Sequence, residues 1–200
     1  MRLIIALIAV VVTLSIAAAA FVYSGAYNVG ADEEHWGATA DMLRIARVRS
    51  VERRAKDVVP PKLDDPQVVR SGAVHYDEMC AMCHLAPGLE DTELRRGLYP
   101  KPADLTKSNV RPAAAFWVIK HGIKMSAMPA WGTSHDDETI WSIVALVQQL
   151  PSLNPGEYKA ILAQPQTSGI ASVKAPSPGP EPHEHSHGTR AHSHAKVKAR

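Results

Sequence analysis

Cys80-Ala81-Met82-Cys83-His84 is the stretch that decides the reading of this 200-residue chain. Two thiols three residues apart share one helical turn and face the same side. From there both sulfurs can reach the two vinyl groups of one porphyrin as thioethers. His84, the next residue, falls under the iron and supplies an imidazole nitrogen, which is the spacing of a covalent haem site. The chain has no other cysteines to compete for these positions. A zinc site would need two further ligands, and the folded region holds no second Cys-x-x-Cys or His-x-x-x-His. A redox dithiol usually sits beside a βαβ pattern, which is not visible here.

Helical signals surround the motif. Asp65 caps a helix that opens at Pro66, and Val69, Ala73, Tyr76 and Cys80 recur on one face. Gly72 inside that helix costs about 1 kcal/mol relative to alanine, which a close helix crossing would explain. Leu85-Ala86-Pro87-Gly88 leaves the helix, and the chain is loop-like as far as Thr106. Pro112 starts a short helix through Ala115, Phe116, Trp117 and Ile119. Ser134 or Asp136 caps a last helix, with Asp137 and Glu138 in its first turn. Its apolar stripe is Ile140, Trp141, Val144, Val147 and Leu150, and Pro151 stops it. Tyr158 to Leu162 adds a short turn.

Gly72, Tyr76, Cys80, Cys83, His84, Met128-Pro129 and the aromatic-containing final helix together carry a family likeness. The segment from Pro66 to Leu150 resembles the class I c-type cytochromes. Gly122-Ile123-Lys124-Met125-Ser126-Ala127-Met128-Pro129-Ala130-Trp131-Gly132 is similar to the methionine-ligand loop of small monohaem members. The resemblance implies an all-α fold wrapped round one covalent haem c, with first and last helices packed together. It implies attachment through Cys80 and Cys83 and axial ligation by His84 and Met128. Met125 is the rival methionine, and His121 a weaker one. Met79 and Met82 should pack rather than ligate. The resemblance further implies that a proline carbonyl, from Pro100 or Pro102, accepts the other ring N–H of His84. Phe116 and Trp117 are expected to pack the haem pocket, and Trp141 to meet Gly72 and Tyr76.

The N-terminus has a different character. Arg2 precedes an apolar run from Leu3 to Tyr23, long enough to span a hydrocarbon core. Small residues at Ala17–Ala20 and Ser24-Gly25-Ala26 would also suit a signal peptidase. The reading favours an uncleaved anchor, with Asp32, Glu33 and Glu34 following on the exported side. From Ala38 to Asp57 the composition is helical and basic, carrying Arg44, Arg47, Arg49, Arg53, Arg54 and Lys56. This segment is expected to be a solvated spacer, with contact to anionic lipid or an acidic partner as the alternative.

From Gln164 onward Pro, Ser, Ala, Gly and Lys dominate, a composition that builds no core. His183, His185, His187, His192 and His194 could bind a divalent metal weakly. The expected organisation is an anchor (1–26), a linker with the basic helix (27–63), the haem domain (64–162) and a disordered His-rich tail (163–200). Lysine plus arginine number 22 against 20 acidic residues, too even a balance to suggest nucleic acid. No acid/base pair or nucleophile constellation accompanies the motif, so an electron carrier is expected rather than an enzyme. The carrier would sit on the periplasmic face of a bacterial inner membrane and meet redox partner proteins, alone or as the cytochrome subunit of an oxidoreductase. A haem-based sensor and a metal-handling protein are the other readings.

Overall fold

The structure is a computed structural model that describes residues 1–164. The histidines His183, His185, His187, His192 and His194 therefore lie outside the described residues. Among the described residues eight α-helices follow in order: α1 (Arg2–Tyr23), α2 (Gly37–Ala55), α3 (Pro66–Met79), α4 (Ala81–His84), α5 (Glu93–Arg96), α6 (Pro112–His121), α7 (Asp137–Gln149) and α8 (Pro155–Ala163). Two 3₁₀ turns, Trp131–Thr133 and Leu150–Ser152, flank α7. Among the described residues there is no strand, so the fold is all-α.

The core forms where α3 crosses α7. Asp65 caps α3 by accepting from Gln67 N at 2.8 Å, and Pro66 sits in the first turn, where its missing N–H costs nothing. Asp136, not Ser134, caps α7, accepting from Thr139 N at 2.8 Å. Every residue from Ile140 to Val147 is buried, because neighbouring helices cover α7 beyond its own apolar stripe. A methyl group added to Gly72 would run into the Ser142 carbonyl, with Ile143 N only 2.9 Å away. Gly72 thus meets backbone, not the Trp141 side chain expected there. Trp141 turns instead to Phe116, stacking at 4.1 Å between ring centroids.

α8 is longer than the turn expected from sequence. An Asn154/Glu157 capping box starts it, and Tyr158 anchors it to α3 by donating to Asp77 Oδ1 at 3.0 Å.

α1 is 22 residues long and none of it is buried. It is apolar all round, and among the described residues it alone is long and apolar enough to cross a membrane. Aromatic contacts bring the chain that follows α1 back to the haem-motif domain. Phe21 meets Trp36 at 5.9 Å, Tyr27 meets Trp36 at 5.1 Å, and His35 N donates to Tyr99 Oη at 3.2 Å. α2 docks on α6 through its C-terminal end. Ala55 is buried, and the Arg54 guanidinium lies 6.0 Å from the Trp117 ring centroid. Met42, Leu43, Ile45 and Val48 on α2 stay exposed.

Candidate haem site

The attachment turn is built by backbone bonds from Cys80. Its carbonyl accepts from Cys83 N at 3.1 Å and from His84 N at 2.8 Å, so both thiols and the imidazole belong to one turn. Both cysteines are free thiols and partly buried. Burial, and then the neighbouring Cys83, push the Cys80 thiol up to about 12. Ala81 faces the core, 4% exposed. Met82, one residue on, is exposed rather than packed as expected, because the four-residue α4 has only one inward side. Met79 does pack against the core.

His84 is oriented from behind. Its Nδ1–H donates to the Ala103 carbonyl at 2.9 Å, while its own carbonyl accepts from Leu105 N at 3.0 Å. Since a carbonyl can only accept, the proton is on Nδ1 and the lone pair on Nε2 is left for a metal. Burial lowers the pKa of His84, as does nearby Arg95, while the bond to Ala103 works the other way. The expectation of a proline acceptor is corrected here. The Pro102 carbonyl is taken by Arg95 Nη2 at 2.9 Å, and the carbonyl one residue later reaches the imidazole.

Leu85 follows with φ +63° and ψ 165°, a region that non-glycine residues rarely occupy. Three features hold it there. Its side chain is buried, its N–H donates to Ala81 O at 2.9 Å, and its carbonyl accepts from Tyr76 Oη at 2.6 Å. Tyr76 is fully buried, which raises the pKa of its hydroxyl and keeps it a donor.

The methionine strap is a closed loop. Ile123 N donates to Met128 O at 3.1 Å, Ser126 Oγ to Ile123 O at 2.8 Å, and Met128 N to Ser126 Oγ at 3.2 Å. Gly122 turns the strap at φ +65°, and a Cβ there would sit 2.7 Å from Pro129 C and 2.8 Å from Ala130 N. Gly132 closes the other end through close approach, since a Cβ would meet Lys120 O at 2.9 Å. Met128 is half-buried and, like Cys80, packs against the core cluster. Met125 points fully into solvent at φ +56°. His121 is exposed, and its ring lies 4.8 Å from that of Trp117. Phe116 is buried in the core, stacked on Trp141, whereas Trp117 serves the α2 contact.

The donor set fits a haem: two unpaired thiols, an imidazole with Nε2 free, and a half-buried thioether. A buried Arg95 Nε–H without a partner adds to this fit. Residues 67–147, from the second residue of α3 into the last turn of α7, match the family model of cytochrome c oxidase, cbb3-type, subunit III. Residues 67–147 are a cytochrome c domain. No curated protein and no solved structure matches the chain. A cytochrome c domain implies covalently attached haem c, and it supports haem-based electron transfer.

Three supports of this cytochrome c domain escaped the sequence reading: the Ala103 acceptor, the strained Leu85 and the buried Arg95. A main-chain acceptor leaves no side-chain signature. Leucine gives no hint of positive φ. For Arg95 the one available signal was Asp91 four residues earlier, the spacing of a helical ion pair.

Proposed function

We propose that this chain is a membrane-anchored monohaem c-type cytochrome. Cys80 and Cys83 hold the haem, His84 and Met128 are its axial ligands, and the domain passes single electrons on the periplasmic face. It serves as a carrier or as the cytochrome subunit of an oxidoreductase. Bound haem c supplies a one-electron ferric/ferrous couple. The observation that carries the reading is the His84 Nδ1–H···O Ala103 bond, which presents Nε2 from the residue next to two free thiols.

The protein's own part in this function is to hold ligands still. Leu105 N, Ala103 O and the backbone of Cys80 fix His84. Ser126, Ile123 and Gly122 fix the backbone of Met128, and Pro129 stiffens it. A neutral soft thioether favours ferrous over ferric iron and raises the potential. With His84 and Met128 both bound to the iron, no position would be left open for a substrate, which suits transfer over catalysis. α1 would tether the domain to the membrane as one span, its basic start inside and the cysteines outside.

The test is the visible spectrum, oxidised and reduced, of the full chain matured in a host that attaches c-type haem. The expected wild type is low-spin with the weak far-red band of sulfur on ferric iron. Met128→Ala should lose the band and Met125→Ala should keep it. A high-spin wild type would mean an open iron site and would overturn the carrier reading.

A further inference from the structure

We propose that the first half of α2 lies in the lipid headgroup layer beside the end of α1, and that α2 thereby seats the domain on an anionic membrane surface. The inference rests on the reading of α1 as a membrane span and goes beyond it. The connection between α1 and α2, residues 24–36, could extend about 45 Å. It folds back instead. Phe21, in the last turn of α1, meets Trp36, the N-cap residue of α2, at 5.9 Å. Tyr27 meets the same Trp36 at 5.1 Å. α2 therefore starts at the depth where α1 leaves the bilayer, among aromatic residues that favour that interface.

α2 changes face half-way along. Met42, Leu43, Ile45 and Ala46 fall within about 160° of arc at 3.6 residues per turn, and Arg44 lies opposite them. Val48, Val51 and Ala55 occupy the reverse side, which docks on α6 with Ala55 buried and Val51 half-buried. One helix thus carries two apolar faces about half a turn apart. Protein covers the second face. The first is open, since every residue from Asp41 to Arg49 is exposed, Met42 at 62% and Ile45 at 51%.

Charge names the occupant. α2 holds Arg44, Arg47, Arg49, Arg53 and Arg54 against only Asp41 and Glu52. On the face of Met42 the following turns bring Arg49 and Arg53. Arg49 lies about 10 Å beyond Met42 along the axis at 1.5 Å per residue, close to the depth of roughly 5–8 Å of headgroup on each side of the hydrocarbon. Apolar residues nearest α1 and arginines farther out repeat the order of a bilayer surface, acyl boundary first and phosphate next. An acidic protein would suit the arginines but would set its charges against Met42, Leu43 and Ile45. The seated helix holds the domain at two places, through α6 and through the bond from His35 N to Tyr99 Oη at 3.2 Å. The domain then stands on the membrane instead of swinging from it.

The experiment uses full-length holoprotein in vesicles. Haem takes up Cys80 and Cys83, so Met42→Cys and Arg44→Cys each offer a single thiol for a nitroxide label. Electron paramagnetic resonance compares collisions with oxygen, which concentrates in lipid, and with an uncharged nickel chelate, which stays in water. On phosphatidylcholine vesicles containing phosphatidylglycerol, oxygen should dominate at position 42 and nickel at position 44. Each arginine beside an anionic surface is worth about a fivefold shift in occupancy, so Arg49→Gln with Arg53→Gln should shift it about 25-fold and expose position 42 to nickel. Equal nickel access at positions 42 and 44 in vesicle-bound protein would refute the seat and leave α2 to solvent. Protection at position 42 that ignores both arginine substitutions and the anionic lipid would refute the charged surface. Protection that rises with the protein-to-lipid ratio would assign the face to a second copy and overturn the lipid. Protein that does not float with vesicles would instead sink the reading of α1 as an anchor, and the seat with it.

Discussion

Replacing Gly72 with alanine tests the helix crossing on which the domain is built. The added methyl would enter the space of the Ser142 carbonyl and come within 2.9 Å of Ile143 N. The obstacle is backbone in the middle of α7, so no side chain can swing away. α3 and α7 must part by roughly 1 Å, a gap that forfeits about a quarter to a half of the dispersion well of each contact across it. The contacts at stake involve Val69, Ala73, Tyr76, Ile140, Ile143 and Val144, all buried. Overpacking of this kind costs about 1–3 kcal/mol, and a backbone clash belongs at the upper end. Alanine returns about 1 kcal/mol of helix propensity. The net expectation is a loss of about 2 kcal/mol, or roughly 8–16 °C in Tm for a domain of this size. Gly97→Ala is the control, because a Cβ there meets nothing closer than 3.7 Å and its φ is −86°. Thermal or denaturant unfolding of the holoprotein reads both. A Gly72→Ala protein within about 0.5 kcal/mol of wild type would show that the crossing is looser than the geometry requires.

Other substitutions probe the supports of the site. Gly122→Ala forces a side chain into positive φ at about 1–2 kcal/mol, against Pro129 and Ala130 backbone as well. It should weaken the far-red sulfur band although Met128 is untouched, and an unchanged band would count against the strap geometry. Tyr76→Phe leaves the Leu85 carbonyl without its donor and should cost about 1–3 kcal/mol by urea midpoint. No change there would mean that Leu85 holds its conformation unaided. The Asp91 carboxyl is drawn down to about 2 by its bonds from Lys101 and then Arg95. Its folded value lies below the ordinary carboxylate value of about 3.9, so its contribution is present above that value and lost as pH falls through about 2. Asp91→Asn should therefore flatten the pH dependence of stability between about pH 4 and pH 2, and an identical acid limb in the two proteins would refute the assignment.

What could be read from the sequence, and what could not, divides by the kind of atom involved. Cys80, Cys83 and His84 are proposed as haem ligands from a spacing that covalent haem attachment requires, whereas Met128 is proposed from the likeness of its loop to a family loop. Val69, Ala73 and Tyr76 were legible because burial imposes helical periodicity on side chains. Gly72 signalled a close crossing, yet its partner was misassigned to Trp141. A side chain as large as tryptophan reads as the natural filler of such a gap, whereas the actual neighbour is the carbonyl of Ser142. The proline acceptor failed for the same reason: the imidazole bonds to a carbonyl, and every residue has one. Pro102 was the near miss, because Arg95 already occupies its carbonyl and the register falls one residue later.

Arg95 shows why a polar group in a charged stretch is the hardest to read. In Glu93-Leu94-Arg95-Arg96 two adjacent arginines look alike, and both would normally be solvated. The structure separates them. Arg95 is buried, whereas Arg96 reaches only the Asp91 carbonyl from an exposed position. The difference comes from the helical phase. α5 is a single turn capped by Thr92, whose hydroxyl both accepts from Arg95 N and donates to Met82 O in the attachment turn. That pair of bonds fixes the rotation of α5 about its axis and turns Arg95 inward to the Pro102 carbonyl, one residue before the acceptor of His84. Binding the cap to the haem turn thus decides which of two equivalent charges enters the site. A sequence pattern four residues long cannot carry that information, since the anchor lies ten residues away.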